Sequence, residues 1–167
     1  MNVPTMLTWL RIALVPLLWW LAYTGERVLF VGVFLVAALT DALDGWLARK
    51  LHQESQAGAV LDSVADYVFF LSAIVWLYWL DASLVTENVV LLTVMVIVTV
   101  VKELVKAGKL GVAARHWWPS KVSAVVLVVS VAFTALFGYV QWVFFVVVGV
   151  LALCALAEVR MMRLGAR

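Results

Sequence analysis

Residues 41–66 read DALDGWLARKLHQESQAGAVLDSVAD, and the fold follows from them. The stretch holds Asp41, Asp44, Gly45, Ala48, Arg49, Gly58, Asp62 and Asp66. If each residue type occurs at under about 10% frequency, eight prescribed identities at fixed spacing arise by chance at below about 10⁻⁸ per starting position. Asp41, Asp44, Gly45 and Ala48 stand at i, i+3, i+4 and i+7, one face of a helix. Gly58, Asp62 and Asp66 stand at i, i+4 and i+8 on one face of the next. The polar KLHQESQAG run between them is a short turn, so the two helices are antiparallel and their faces oppose. Four carboxylates converge there.

The surroundings of this stretch are unusually apolar. Hydrophobic residues make up 66% of the 167, charged residues 13%, and the mean hydropathy is +1.10, against about 45–50% apolar and about 25% charged in a soluble domain. The composition places the chain in a bilayer. At roughly 20 residues per crossing, the length admits six spans with short connections and one domain over 1–167. Six apolar segments answer to that count, at 5–24, 28–49, 58–80, 88–106, 120–138 and 141–160. They are read as helices because unpaired backbone groups are too costly in hydrocarbon and no period-2 alternation supports a barrel. The first segment lacks a charged leader and a small-residue cleavage site, so it is read as a retained span. The expected fold is an all-α integral membrane protein, a bundle of six transmembrane helices.

Charge sets the orientation. With a cytoplasmic N-terminus, six crossings bring the C-terminus back to the same side, and the cytoplasmic ends collect Arg11, Arg49, Lys50, Lys102, Lys106, Lys109, Arg115, Lys121, Arg160, Arg163 and Arg167. Only Arg27 falls outside. That asymmetry is the positive-inside pattern, and it puts both termini and the Asp cluster on the cytoplasmic side. Trp19, Trp20, Trp76, Trp79 and Trp142 are expected at the outer interface, Trp117 and Trp118 at the inner one. The net charge of +2, with no broad basic run, gives no surface for nucleic acid. Cys154 is alone in an apolar segment, forms no internal disulfide, and reads as a packed or lipid-facing thiol.

Four ionised carboxylates cannot be gathered in an apolar protein without compensation, since each loses hydration and repels the others. Divalent cations supply it. An all-oxygen donor set, with no paired Cys and no H-x-x-x-H run, selects Mg²⁺ or Mn²⁺ over zinc. A two-metal carboxylate site suits substitution at phosphorus. Gly45, Ala48 and Gly58 remove bulk beside the acids, either for a nucleotide lying against the helix backbones or for close helix packing. Arg49 is suited to a nucleotide phosphate or to an acid of the cluster. A cation transporter or channel is the competing class; its acids belong near the bilayer midplane on broken helices, whereas these lie close to a cytoplasmic turn.

The eight residues coincide with D-x2-D-G-x2-A-R-x8-G-x3-D-x3-D, and at every position the chain resembles the CDP-alcohol phosphatidyltransferases, membrane enzymes of phospholipid synthesis. The resemblance implies transfer of the phosphatidyl group of CDP-diacylglycerol to an alcohol, with release of CMP. It implies that Asp41, Asp44, Asp62 and Asp66 hold two divalent ions, that Asp66 is also the general base, and that Gly45, Ala48, Arg49 and Gly58 shape the CDP-lipid site. It further implies a homodimer in a bacterial inner membrane, with the active site on the cytoplasmic side.

The opening Asn2-Val3-Pro4-Thr5-Met6-Leu7-Thr8-Trp9-Leu10-Arg11 looks like the N-x-P-x-x-x-T-x-x-R start of the phosphatidylglycerophosphate and cardiolipin synthases in that family. A polar helix start with an early Pro reads the same way. Lys102-Glu103 resembles the Arg-Glu pair of those synthases, and Ser120-Lys121-Val122-Ser123 resembles their segment before the fifth helix. Tyr67 stands where a Lys is usual, and Asp62-Ser63-Val64-Ala65-Asp66 is nearer to serine- or inositol-type members. The expected acceptor is glycerol 3-phosphate, with inositol phosphate, phosphatidylglycerol or another alcohol as alternatives. Thr5, Thr8, Arg11, Lys102, Lys106, Arg115 and Lys121 are the candidate residues for its phosphate, although membrane topology alone also accounts for the lysines and Arg115.

Overall fold

Helices account for nearly every described residue: α1 (Val3–Thr24), α2 (Arg27–Lys50), α3 (Gln56–Leu80), α4 (Ala82–Glu87), α5 (Val89–Leu110), α6 (Trp118–Phe137) and α7 (Gln141–Leu164). The computed structural model describes the backbone of residues 3–50, 56–110 and 118–164, and within these the side chains outside 3–5, 44–49, 56–57, 59–60, 63, 102–110 and 162–164. Each of the six expected segments is a helix. The addition is α4, in the stretch expected only as a break. Asp81, a residue type favoured at an N-cap, immediately precedes it, and Leu84 is its buried residue.

Among the described residues, three helices contain stretches long and apolar enough to cross a bilayer, Met6–Thr24, Trp118–Phe137 and Gln141–Met161. Val64–Leu80 and Val89–Val101 are apolar but shorter. Large apolar side chains face outward on these helices, including Tyr23 at 72%, Phe137 at 71% and Trp142 at 81% exposure. Such surface is unsuited to water and suited to lipid.

The chain forms two compact units. The first comprises residues 1–82 and 132–138, and α1 packs on both α2 and α3 within it. Its core is built from stripes at helical spacing: Val15, Leu18, Leu21 and Ala22 on α1, Phe30, Phe34 and Ala37 on α2, and Ala65, Trp76 and Leu80 on α3. Trp76 is fully buried rather than interfacial, a correction to the sequence reading. It lies on the same stripe as Ser72 and Leu80, and its ring meets Phe30, Phe34 and Phe69 edge-on at 5.7, 6.3 and 5.1 Å between centroids. Trp79 sits off that stripe against Trp19 and Tyr23, and the Trp19 Nε1–H donates to Ser72 Oγ at 3.1 Å.

Helix ends in this unit are closed by backbone and side chain together. At the end of α1, Gly25 adopts φ +74°, its N–H reaches Ala22 O at 3.3 Å, and the Glu26 N–H reaches Leu21 O at 3.0 Å. This is the Schellman pattern, which needs a left-handed residue where Gly stands. Arg27, the one basic residue outside the positive-inside pattern, donates to Leu80 O at 2.6 Å and Ala135 O at 3.2 Å. It satisfies carbonyls in the last turns of α3 and α6.

The second unit comprises residues 83–131 and 139–167. Within it Asn88 Nδ2 donates to Leu84 O at 3.0 Å and to the Tyr139 hydroxyl at 2.8 Å, which ties the end of α4 to the short stretch ahead of α7. Ser120 donates to the buried Glu158 carboxylate. Cys154 is a free, buried thiol.

Candidate metal centre

Each apolar stripe of the first unit turns polar toward one end. On α1, Leu18 and Val15 give way to Arg11 and Thr8; on α2, Phe34 and Ala37 give way to Thr40 and Asp41; on α3, Trp76 and Ala65 give way to Asp66 and Asp62. At 1.5 Å rise per residue, Arg11 lies about 12 Å from the start of α1 and Asp41 about 13 Å from the end of α2. Asp62 and Asp66 lie about 9 and about 15 Å along α3. Asp41 thus stands about as far from the end of α2 as Asp62 and Asp66 stand from the start of α3.

Oxygens of Asp41, Asp62 and Asp66 all lie within 4.8 Å of one another. The fourth member is Arg11. Its Nη2 is 2.5 Å from Asp41 Oδ1, and its Nη1 is 2.9 Å from Asp66 Oδ1 and 3.4 Å from Asp62 Oδ1. The Arg11 side chain is 2% exposed, against 45% for Asp41, 39% for Asp62 and 54% for Asp66. A guanidinium therefore closes the cluster from the protein side, and the carboxylates open away from it.

The donor set fits a hard divalent cation. Oxygens around Mg²⁺ at about 2.1 Å stand about 3.0 Å apart when adjacent and about 4.2 Å when opposite, so three oxygens within 4.8 Å of one another close on one ion by side-chain adjustment. Among the described residues, three ionised carboxylates and one guanidinium sum to a formal charge of −2, a charge that a divalent cation offsets.

Sequence expectations meet this geometry unevenly. Asp41, Asp62 and Asp66 come together as the spacing requires. Asp44, Gly45, Ala48 and Arg49 continue α2 toward its end, one turn and more beyond Asp41; their side chains, like those of Thr5, Lys102 and Lys106, lie outside the described residues, as does all of Arg115. Gly58 is half-buried on α3, one turn before Asp62. Thr8 is buried at 4% exposure, one turn from Arg11. Lys121 is exposed in the first turn of α6 and belongs to the second unit. Arg11, a candidate for the acceptor phosphate, faces three acids. The signal for that was available, because an arginine inside an apolar helix pairs with acids by default. Glu158 was not anticipated at all, although an acid amid ALAEVR is the same signal.

Comparison with known proteins agrees with the cluster. A family model described as CDP-alcohol phosphatidyltransferase matches residues 1–156. A CDP-diacylglycerol–glycerol-3-phosphate 3-phosphatidyltransferase of Pseudomonas fluorescens is 45% identical over 80 residues, 46% of this chain and 41% of the relative. A CMP-forming cardiolipin synthase of Oryza sativa subsp. japonica is 35% identical over 136 residues, 78% of this chain and 40% of the relative. A Haemophilus influenzae protein with the same name as the Pseudomonas one is 29% identical over 127 residues, 70% of this chain and 66% of the relative. The chain thus spans about two-fifths of the first two relatives' length. A match over 1–156 takes in Asp41, Asp44, Asp62 and Asp66 together with the helix that supplies Arg11, and with it this membrane protein belongs to the CDP-alcohol phosphatidyltransferase family.

Proposed function

We propose that the protein transfers the phosphatidyl group of CDP-diacylglycerol to glycerol 3-phosphate, releasing CMP and forming phosphatidylglycerophosphate. The observation that carries this is the convergence of Asp41, Asp62 and Asp66 within 4.8 Å in a member of this family. In this reading Asp41, Asp44, Asp62 and Asp66 hold two Mg²⁺ or Mn²⁺ ions. Bound there, the ions would offset the diphosphate charge and stabilise the charge that develops at phosphorus. Asp66 takes the proton of the acceptor hydroxyl as its oxygen bonds to the β-phosphorus and the bond from that phosphorus to the CMP oxygen breaks. Gly45, Ala48 and Gly58 leave room for the nucleotide along the helix backbones, and Arg49 holds its phosphate. Lys102, Lys106, Arg115 and Lys121, with Thr5 and Thr8, are assigned to the acceptor phosphate.

The same reading makes 1–167 one domain of six membrane spans, with both termini and the acids on the cytoplasmic side of a bacterial inner membrane, working as a homodimer. The charge asymmetry supports the orientation. Phosphatidylglycerol is the second acceptor to consider, because the relative matched over 78% of this chain is named a cardiolipin synthase. Purified protein with CDP-diacylglycerol, Mg²⁺ and a panel of labelled acceptors decides between them. Glycerol 3-phosphate is expected to be consumed with stoichiometric CMP, and activity is expected to vanish in excess EDTA and return with Mg²⁺ or Mn²⁺. Cardiolipin as the sole product would select phosphatidylglycerol. Full CMP release in EDTA would remove the metal assignment.

A further inference from the structure

We propose that Arg11 is a resident competitor of the divalent cation, so that metal enters the acid cluster by exchanging with a guanidinium for the same three carboxylates. The inference rests on the metal reading above. One buried side chain, 2% exposed, already bridges Asp41, Asp62 and Asp66 at 2.5, 3.4 and 2.9 Å. Those carboxylates are the ones whose oxygens lie within 4.8 Å of one another, so the bridging cation and an incoming ion call on one donor set. The acids are 39–54% exposed, which leaves their outward side open to an ion that then takes the same oxygens from the guanidinium behind them. Contraction of the oxygens around a small cation draws them off the longer N–H···O contacts with Arg11. The formal charge of −2 with Arg11 in place becomes −3 without it, and both terms favour tighter metal binding once the guanidinium is gone.

Arg11 is thereby a positioning residue with two linked effects: it stabilises the metal-free protein and it weakens metal binding. A merely structural arginine has only the first. The test is direct Mn²⁺ binding, read by the electron paramagnetic resonance of free Mn²⁺, on the full chain and on Arg11→Gln and Arg11→Lys. The Gln variant is expected to bind Mn²⁺ at least about tenfold more tightly, and the Lys variant, which keeps the charge but not the planar fork, to fall between. Without metal the Gln variant is expected to melt several degrees below the parent, and in saturating Mn²⁺ that deficit should close. Equal or weaker Mn²⁺ affinity in the Gln variant, or a deficit that persists in Mn²⁺, overturns the proposal and leaves the metal reading standing. No Mn²⁺ binding by any of the three proteins overturns both. Should the Gln variant fail to fold, the Lys variant decides: an affinity no tighter than the parent's overturns the proposal.

Discussion

Asp62 and Asp66 are one turn apart on α3 and share Nη1 of Arg11 at 3.4 and 2.9 Å, yet the proposed chemistry asks different things of them. Asp62 only holds metal, whereas Asp66 also receives a proton. Asp66→Asn keeps the size and removes the basicity, so kcat is expected to fall by about 10²–10⁴ while CDP-diacylglycerol still binds. Turnover within about threefold of the parent at saturating substrates and metal would move the base elsewhere. Asp41→Asn removes an anionic ligand and the 2.5 Å contact to Arg11, and is expected to weaken Mn²⁺ and CDP-lipid binding together, as titrations of each would show. Unchanged affinity for both would make Asp41 structural. At this scale the acids were legible, because spacing on a helix fixes which side chains share a face. That Arg11 pairs with acids was legible from its place in an apolar helix; which acids it meets was not, since they are 30 or more positions away along the chain and nothing in its own helix names the helix it meets.

Helix ends show how much local chemistry the chain carries in plain view. Gly25 and Gly138 both have φ in the left-handed region, at +74° and +83°, where a β-carbon costs roughly 1–2 kcal/mol. Their surroundings differ. A Cβ at Gly25 meets nothing within 4 Å, whereas one at Gly138 comes to 3.2 Å from Asp81 Oδ2. Gly138→Ala is therefore expected to lower the melting temperature in detergent more than Gly25→Ala. The reverse order would show that the Asp81 carboxylate yields without cost. Gly25 falls in the break between the first two apolar segments and Gly138 is the last residue of the fifth, so both ends were visible in the sequence. Arg27 was visible only as an exception to the charge rule, and its use as a donor to Leu80 O and Ala135 O depends on two helix ends that the chain brings together from 53 and 108 positions away. Trp76 misled for a related reason: aromatic girdle and aromatic core use the same residue, and the neighbours decide which it is.

For the whole molecule, the six-span arrangement is tested by accessibility. In a Cys154→Ser background, Glu87→Cys between the third and fourth expected spans should react with an impermeant maleimide added outside intact cells, and Lys50→Cys should not. Labelling of Lys50→Cys from outside would invert the assigned orientation. Composition and periodicity were enough to establish an all-helical membrane chain, because hydrocarbon leaves the backbone few alternatives to the helix and 66% apolar content leaves few alternatives to hydrocarbon. The sequence by itself also determined which acids share a face and the family that uses them, since both are properties of spacing along one chain. Only the tertiary structure decided what stands against those acids. It set a buried arginine of α1 across Asp41, Asp62 and Asp66, and a fully enclosed Trp76 beneath the same helices, because which stripe meets which is settled by packing among α1, α2 and α3 together rather than by the pattern on any one of them.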